Sequence, residues 1–120
     1  MAHSLARQRL KYIITVVNKI KTFAQTLVDF KDLNEMMTFL KDFFSEKELE
    51  MFSKRLAISY WLKKGRSYSN ITNNLKSSSA TISQVAVLMK SKGIEEALKK
   101  MDAEEWAMLW SKKIKKFVGR

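Results

Sequence analysis

This chain contains no proline, and its three glycines stand at Gly65, Gly93 and Gly119. Proline removes a backbone donor and glycine loosens a helix, so helices here are free to run long, with Gly65 and Gly93 as their punctuation. Between these points apolar residues recur every three or four positions, which is the period of an amphipathic helix. The pattern predicts an all-α protein.

In the first segment Leu5, Tyr12, Ile13, Val16, Val17, Ile20, Phe23, Ala24, Leu27 and Phe30 form such a stripe against Arg9, Lys11, Asn18, Lys19, Lys21 and Gln25, and predict one long packing helix. Asp32 is placed to cap a second helix, with Leu33, Met36, Met37, Leu40, Phe43 and Phe44 as its buried stripe and the methionines as core filler. Ser45 and Glu48 make an S-x-x-E capping box, so a third helix is expected from Glu46. It offers Leu49, Phe52, Leu56, Ala57, Ile58, Tyr60, Trp61 and Leu62 to the core. It stops at Lys63, Lys64 and Gly65, two cations on the negative end of the helix dipole followed by a residue that accepts left-handed backbone.

The next stretch, Ser67 to Met89, reads as a short helix, a tight turn and a second helix. Ser67 caps the first, whose buried pair is Ile71 and Leu75. Any of Ser77, Ser78 and Ser79 can cap the second, with Ile82, Val85, Ala86 and Met89 inward and Gly93 as its expected end. Its other face shows Ser79, Ala80, Thr81, Ser83 and Gln84, none bulky enough to keep a helix out of a DNA major groove about 12 Å wide. Beyond Gly93, Ile94–Met101 and Asp102–Phe117 read as one or two helices, with Asp102 and Glu105 repeating the acid-capping pattern. There Ala107, Met108, Trp110, Ile114 and Phe117 oppose Lys112, Lys113, Lys115 and Lys116, a basic amphipathic face suited to solvent, DNA backbone or an anionic membrane surface.

Charge narrows the function. Among 120 residues, 23 basic and 12 acidic side chains leave +11, which favours a polyanionic partner, and the 46% hydrophobic content is enough for one domain with a core. Between Glu50 and Glu95 there is no acid, while Lys54, Arg55, Lys63, Lys64, Arg66, Lys76, Lys90 and Lys92 are basic. A helix-turn-helix within that stretch points to double-stranded DNA. Lys63, Lys64, Arg66, Lys76, Lys90 and Lys92 are expected to hold phosphates; Ser77, Ser78, Ser79, Ala80, Thr81, Ser83 and Gln84 line the docking face, and Gln84 is suited to adenine.

Other classes find little support. There is no cysteine, His3 is the single histidine, and Glu46, Glu48 and Glu50 read as helix-start charges, so no catalytic site, metal or cofactor is expected. No apolar run approaches the roughly 18 residues of a membrane span. The first 28 residues are acid-free and basic, as in a mitochondrial presequence, but their periodicity continues unbroken into the rest of the chain. A cytoplasmic, nucleoid-associated protein is expected.

With these residues placed, the segment from Asp32 to Gly93 resembles the Trp repressor family. The matching pieces are FLKDFFSEKELEMFSKRL from Phe39 to Leu56, the glycine-basic-serine-tyrosine step from Gly65 to Tyr68, and the tetrapeptide ATIS from Ala80 to Ser83. The resemblance implies an all-helical, intertwined homodimer whose two helix-turn-helix units reach successive major grooves. It divides a single domain, 1–120, into a dimerisation helix (1–31), a helix-turn-helix core (32–93) and a basic helical extension (94–120). It also implies a corepressor pocket, in which two arginines sandwich an indole. Here Arg55 matches the first arginine, Gln84 stands at the second, and Val85 and Leu88 stand where the family has glycine and serine. Branched side chains there are expected to fill the space, which argues against L-tryptophan and leaves any effector open. Lys76 stands where the family has glycine in the turn. The expectation is a sequence-specific transcriptional regulator; the alternative is a low-specificity nucleic-acid or nucleoid-binding protein, because the exposed face carries few strong base readers.

Overall fold

The computed structural model describes residues 2–118, with side chains described for all of these except 2, 3, 13, 14, 17, 106 and 109–118. His3, Ile13, Val17, Trp110, Ile114, Phe117 and the lysines from Lys112 to Lys116 therefore lie outside the described side chains. Among the described residues there are six helices and no strand: α1 (Ala2–Asp29), α2 (Leu33–Phe43), α3 (Glu46–Lys63), α4 (Tyr68–Leu75), α5 (Ser79–Leu88) and α6 (Lys92–Val118). The chain divides into two compact units, one up to Leu49 and one from Glu50 onward.

In the first unit the start signals act as expected. The Asp32 carboxylate accepts the Glu35 N–H at 3.1 Å, and the Ser45–Glu48 box closes both ways, at 3.1 Å to the Glu48 N–H and 3.0 Å from the Ser45 N–H. That backbone bond, followed by the one to the Ser45 side chain, holds the Glu48 carboxyl below the usual carboxylate range. Burial does not follow the expectation. No residue of α2 is buried; Leu33 is 72% exposed and Phe43 59%. Two helices enclose too little volume to cover both stripes. What joins them instead is a chain of aromatic contacts, Phe23 to Phe43 at 5.5 Å, Phe43 to Phe39 at 5.2 Å and Phe39 to Phe30 at 5.2 Å. On α1, Leu5 stays 58% exposed and Ile20 66%.

The second unit holds the core. Ile58 of α3, Ile71 of α4 and Ile82 of α5 are fully buried, joined by Val85 and packed by Trp61, Leu62 and Leu75. Each isoleucine taken from water is worth about 1.5–3 kcal/mol. The buried face of α3 is thus Ile58 with Ser59, whereas Phe52 and Leu56, expected inside, are exposed. Ser59 tolerates burial because its hydroxyl donates to the Arg55 carbonyl at 2.9 Å. Helix α3 ends as expected: Gly65 takes φ 81°, its N–H reaches the Leu62 carbonyl, and Arg66 N–H reaches Trp61, which is the Schellman pattern.

One expected boundary is corrected, and one left open is decided. Gly93 does not end α5, which stops at Leu88 through short turns from Met89 to Ala86 and Ser91 to Leu88; Ser91 opens α6 by accepting the Glu95 N–H, and Gly93 lies in its first turn. Nor do Asp102 and Glu105 start a new helix. No glycine or proline interrupts α6 there, and both acids are engaged by lysines where α3 ends, Asp102 by Lys63 and Lys64 and Glu105 by Lys64.

Between α4 and α5, Lys76 takes φ 52° and ψ 46°, the one non-glycine residue with positive φ among those described. A side chain in this region costs about 1–2 kcal/mol. Lys76→Gly is therefore expected to raise stability by about 1 kcal/mol, read as a higher urea midpoint at unchanged slope. Lys76→Ala keeps the Cβ and should leave the midpoint in place. A lower midpoint for the glycine variant would show that the turn is not strained.

Candidate nucleic-acid interface

The interface is assembled on α4, α5 and the turn between them. Ser67 caps α4, its hydroxyl accepting the Asn70 N–H at 3.1 Å. Of the three serines after Lys76, Ser78 is the cap of α5: its Oγ accepts the Thr81 N–H at 3.2 Å and lies 3.0 Å from the Thr81 hydroxyl. Ser77 is only 6% exposed, and its Oγ has no partner among the described residues. It is set apart from the exposed docking face. Because Ile82 and Val85 point into the core, helical geometry turns Ser79, Ala80, Thr81, Ser83 and Gln84 outward, and all five are exposed. Tyr68, at the start of α4, is also exposed, and periodicity alone did not single it out.

The cations separate into two groups. Lys63 Nζ lies 2.6 Å from one carboxylate oxygen of Asp102 and Lys64 Nζ 2.7 Å from the other, with Glu105 3.5 Å from Lys64. The hydrogen bonds from Lys63 and then Lys64 hold the Asp102 carboxyl below its usual range. Two expected phosphate anchors are thus engaged within the chain, and Lys54 pairs with Glu50 at 3.6 Å. Arg66, Lys76, Lys90 and Lys92 have no acidic partner among the described residues. Arg66 is nonetheless held: its guanidinium carbon lies 4.1 Å from the centre of the Trp61 ring, and its Nη1 donates to Asn70 Oδ1 at 3.2 Å. Trp61 was expected in the core, against which it packs, and neither it nor Asn70 was expected beside a cation, since a ring-to-cation contact across a helix end has no periodicity.

Behind α5 lies a cleft of about 470 Å³ lined by Met51, Lys54, Arg55, Thr81, Gln84, Val85 and Leu88. The branched side chains at positions 85 and 88 were expected to fill this space. They do not close it: Val85 is turned largely into the core, and the cleft retains a single guanidinium, that of Arg55, 5.8 Å from the Phe52 ring centre.

A family model described as Trp repressor protein matches residues 18–102. The chain belongs to the Trp repressor family. Its members are DNA-binding helix-turn-helix regulators rather than enzymes, and the match takes in α2 to α5 whole. It starts within α1 and ends at Asp102 within α6, so it extends on both sides of the Asp32–Gly93 segment that carries the visible motifs. No curated protein and no solved structure matches the chain. Among the described residues, no helix is long and apolar enough to cross a membrane.

Proposed function

We propose that this Trp repressor family member is a sequence-specific, dimeric transcriptional regulator that docks α5 in the major groove and does not depend on L-tryptophan. The observation that carries the reading is the two-sidedness of α5: Ile82 and Val85 are buried, while Ser79, Ala80, Ser83 and Gln84 are exposed on a helix of 10 residues. Cations without acidic partners among the described residues lie before α4, in the turn and after α5, at Arg66, Lys76, Lys90 and Lys92. They supply register and most of the affinity, and the small polar face reads base edges. Lys63 and Lys64 contribute to phosphate binding only by exchanging Asp102 for DNA. Residues 1–120 act as one functional domain, cytoplasmic and nucleoid-associated.

The dimer rests on the stripe of α1, where Leu5, Tyr12 and Ile20 are exposed on a single chain. Apolar side chains in such number along one helix favour a self-complementary two-fold contact. Sedimentation at micromolar concentration is expected to give twice 14.0 kDa, and Ile20→Asp to give the monomer, because a buried unpaired carboxylate costs several kcal/mol. A monomer for the unsubstituted chain would remove the dimer from the proposal.

Readers and anchors are separable. Thr81→Ala or Gln84→Ala should alter base preference by about 1–3 kcal/mol at single positions. Lys76→Ala or Lys90→Ala should weaken binding to every sequence and lower the salt slope by about 0.9 each. Equal affinity for selected and scrambled duplexes would instead establish the low-specificity reading, which the modest hydrogen-bonding reach of this face also supports.

Tryptophan independence follows from the single guanidinium of the cleft. Losing the second removes about 1.5–3 kcal/mol of charged hydrogen bonding, comparable to a typical allosteric coupling of about 1–3 kcal/mol. Calorimetry is expected to detect no tryptophan binding below millimolar concentration, and DNA affinity to be the same with and without it. A tryptophan-dependent gain in affinity would restore the corepressor mechanism.

A further inference from the structure

Arg66 differs from Lys76, Lys90 and Lys92 in being held in place before any ligand arrives. Its backbone N–H closes the end of α3 on the Trp61 carbonyl at 3.1 Å. Its guanidinium is stacked on the Trp61 ring at 4.1 Å, and one of its donors is taken by the Asn70 side chain at 3.2 Å. Both supports are themselves anchored. Trp61 packs against the Ile58, Ile71, Ile82 and Val85 core. Asn70 is held by backbone bonds that do not involve its Oδ1, its N–H to the Ser67 hydroxyl and its carbonyl from Asn74. A guanidinium has five N–H donors in a rigid plane, so four remain for a bidentate anion. An arginine that rotates freely must give up that freedom on docking; this one has already done so.

We infer that Trp61 and Asn70 are positioning residues that preorganise Arg66 to grip a DNA backbone phosphate at the start of α4, an inference that rests on the DNA-binding reading above. A lysine cannot replace it, because an ammonium neither stacks as a plane nor binds two phosphate oxygens side by side.

The experiment measures binding of the full chain to a labelled random-sequence duplex across a series of salt concentrations, since a phosphate contact needs no operator. Arg66→Ala is expected to weaken binding roughly 10-fold and to lower the salt slope by about 0.9. Arg66→Lys should keep the slope and lose affinity, about 2- to 5-fold. Asn70→Ala and Trp61→Leu should each lose about 2- to 5-fold at unchanged slope, and neither should weaken binding further in an Arg66→Ala background. Trp61→Phe, which keeps a ring, should recover most of the loss; with Asn70→Ala it decides the matter if Trp61→Leu fails to fold. An unchanged slope for Arg66→Ala, or equal losses from Asn70→Ala with and without Arg66, would overturn the inference while leaving DNA binding intact. Absence of duplex binding by the unsubstituted chain would overturn both.

Discussion

Three isoleucines from three helices, Ile58, Ile71 and Ile82, meet with no exposed surface, and the rest of the second unit depends on that meeting. Helices of 8 and 10 residues, the lengths of α4 and α5, are too short to persist in water alone. They exist because Ile71 and Ile82 find Ile58. The same contact sets the rotation of α5 about its axis, since fixing positions 82 and 85 inward leaves 80, 81, 83 and 84 no choice but the outer face. Side chains proposed to read DNA are aimed by residues that never approach it.

Charge is partitioned with similar economy. The end of α3 gathers Lys63 and Lys64 where the helix dipole favours cations, and Asp102 and Glu105 of α6 bring the matching acids. The acid-free stretch from Glu50 to Glu95 therefore overstates the positive charge left for a partner. Among the described residues, what remains of it without an acidic partner lies at Arg55, beside the cleft, and at Arg66, Lys76, Lys90 and Lys92. The acids come from 39 residues further along the chain in the case of Lys63 and Asp102, a pairing that fixes α6 to α3 as well as neutralising them.

Features decided within four residues were legible in the sequence. The caps at Asp32, Ser45 and Ser67 depend on side chains reaching their own backbone, and the stop at Gly65 on a residue that accepts left-handed backbone, so residue type and spacing specify them. Features decided by distant packing were not. The apolar residues of α3 lie on more than one side of the helix, so which side becomes the core depends on where α4 and α5 land; Phe52 and Leu56 lost to Ile58. Asp102 and Glu105 have the spacing of a capping box, yet tertiary lysines claimed them. Gly93 carried the composition of a stop but sits in a first turn, because Ser91 had already begun the helix. The cation site was legible as charge and not as geometry, which is why Arg66 was expected while Trp61 and Asn70 were not.

The contact between the Ser78 and Thr81 hydroxyls, 3.0 Å apart with either able to donate, gives the proposed recognition face a polarity that can be set in two ways. Each hydroxyl has one proton and two lone pairs, and Ser78 already spends a lone pair on the Thr81 N–H. With the Thr81 proton turned toward Ser78, position 81 presents only acceptors and suits the amino groups of adenine or cytosine. With the Ser78 proton turned toward Thr81, the Thr81 proton is released and suits the N7 of guanine or adenine, the O6 of guanine or the O4 of thymine. A reorientation of these two hydroxyl hydrogens, with no heavy atom displaced, thus switches position 81 between accepting a hydrogen bond and donating one on the face proposed to meet the bases.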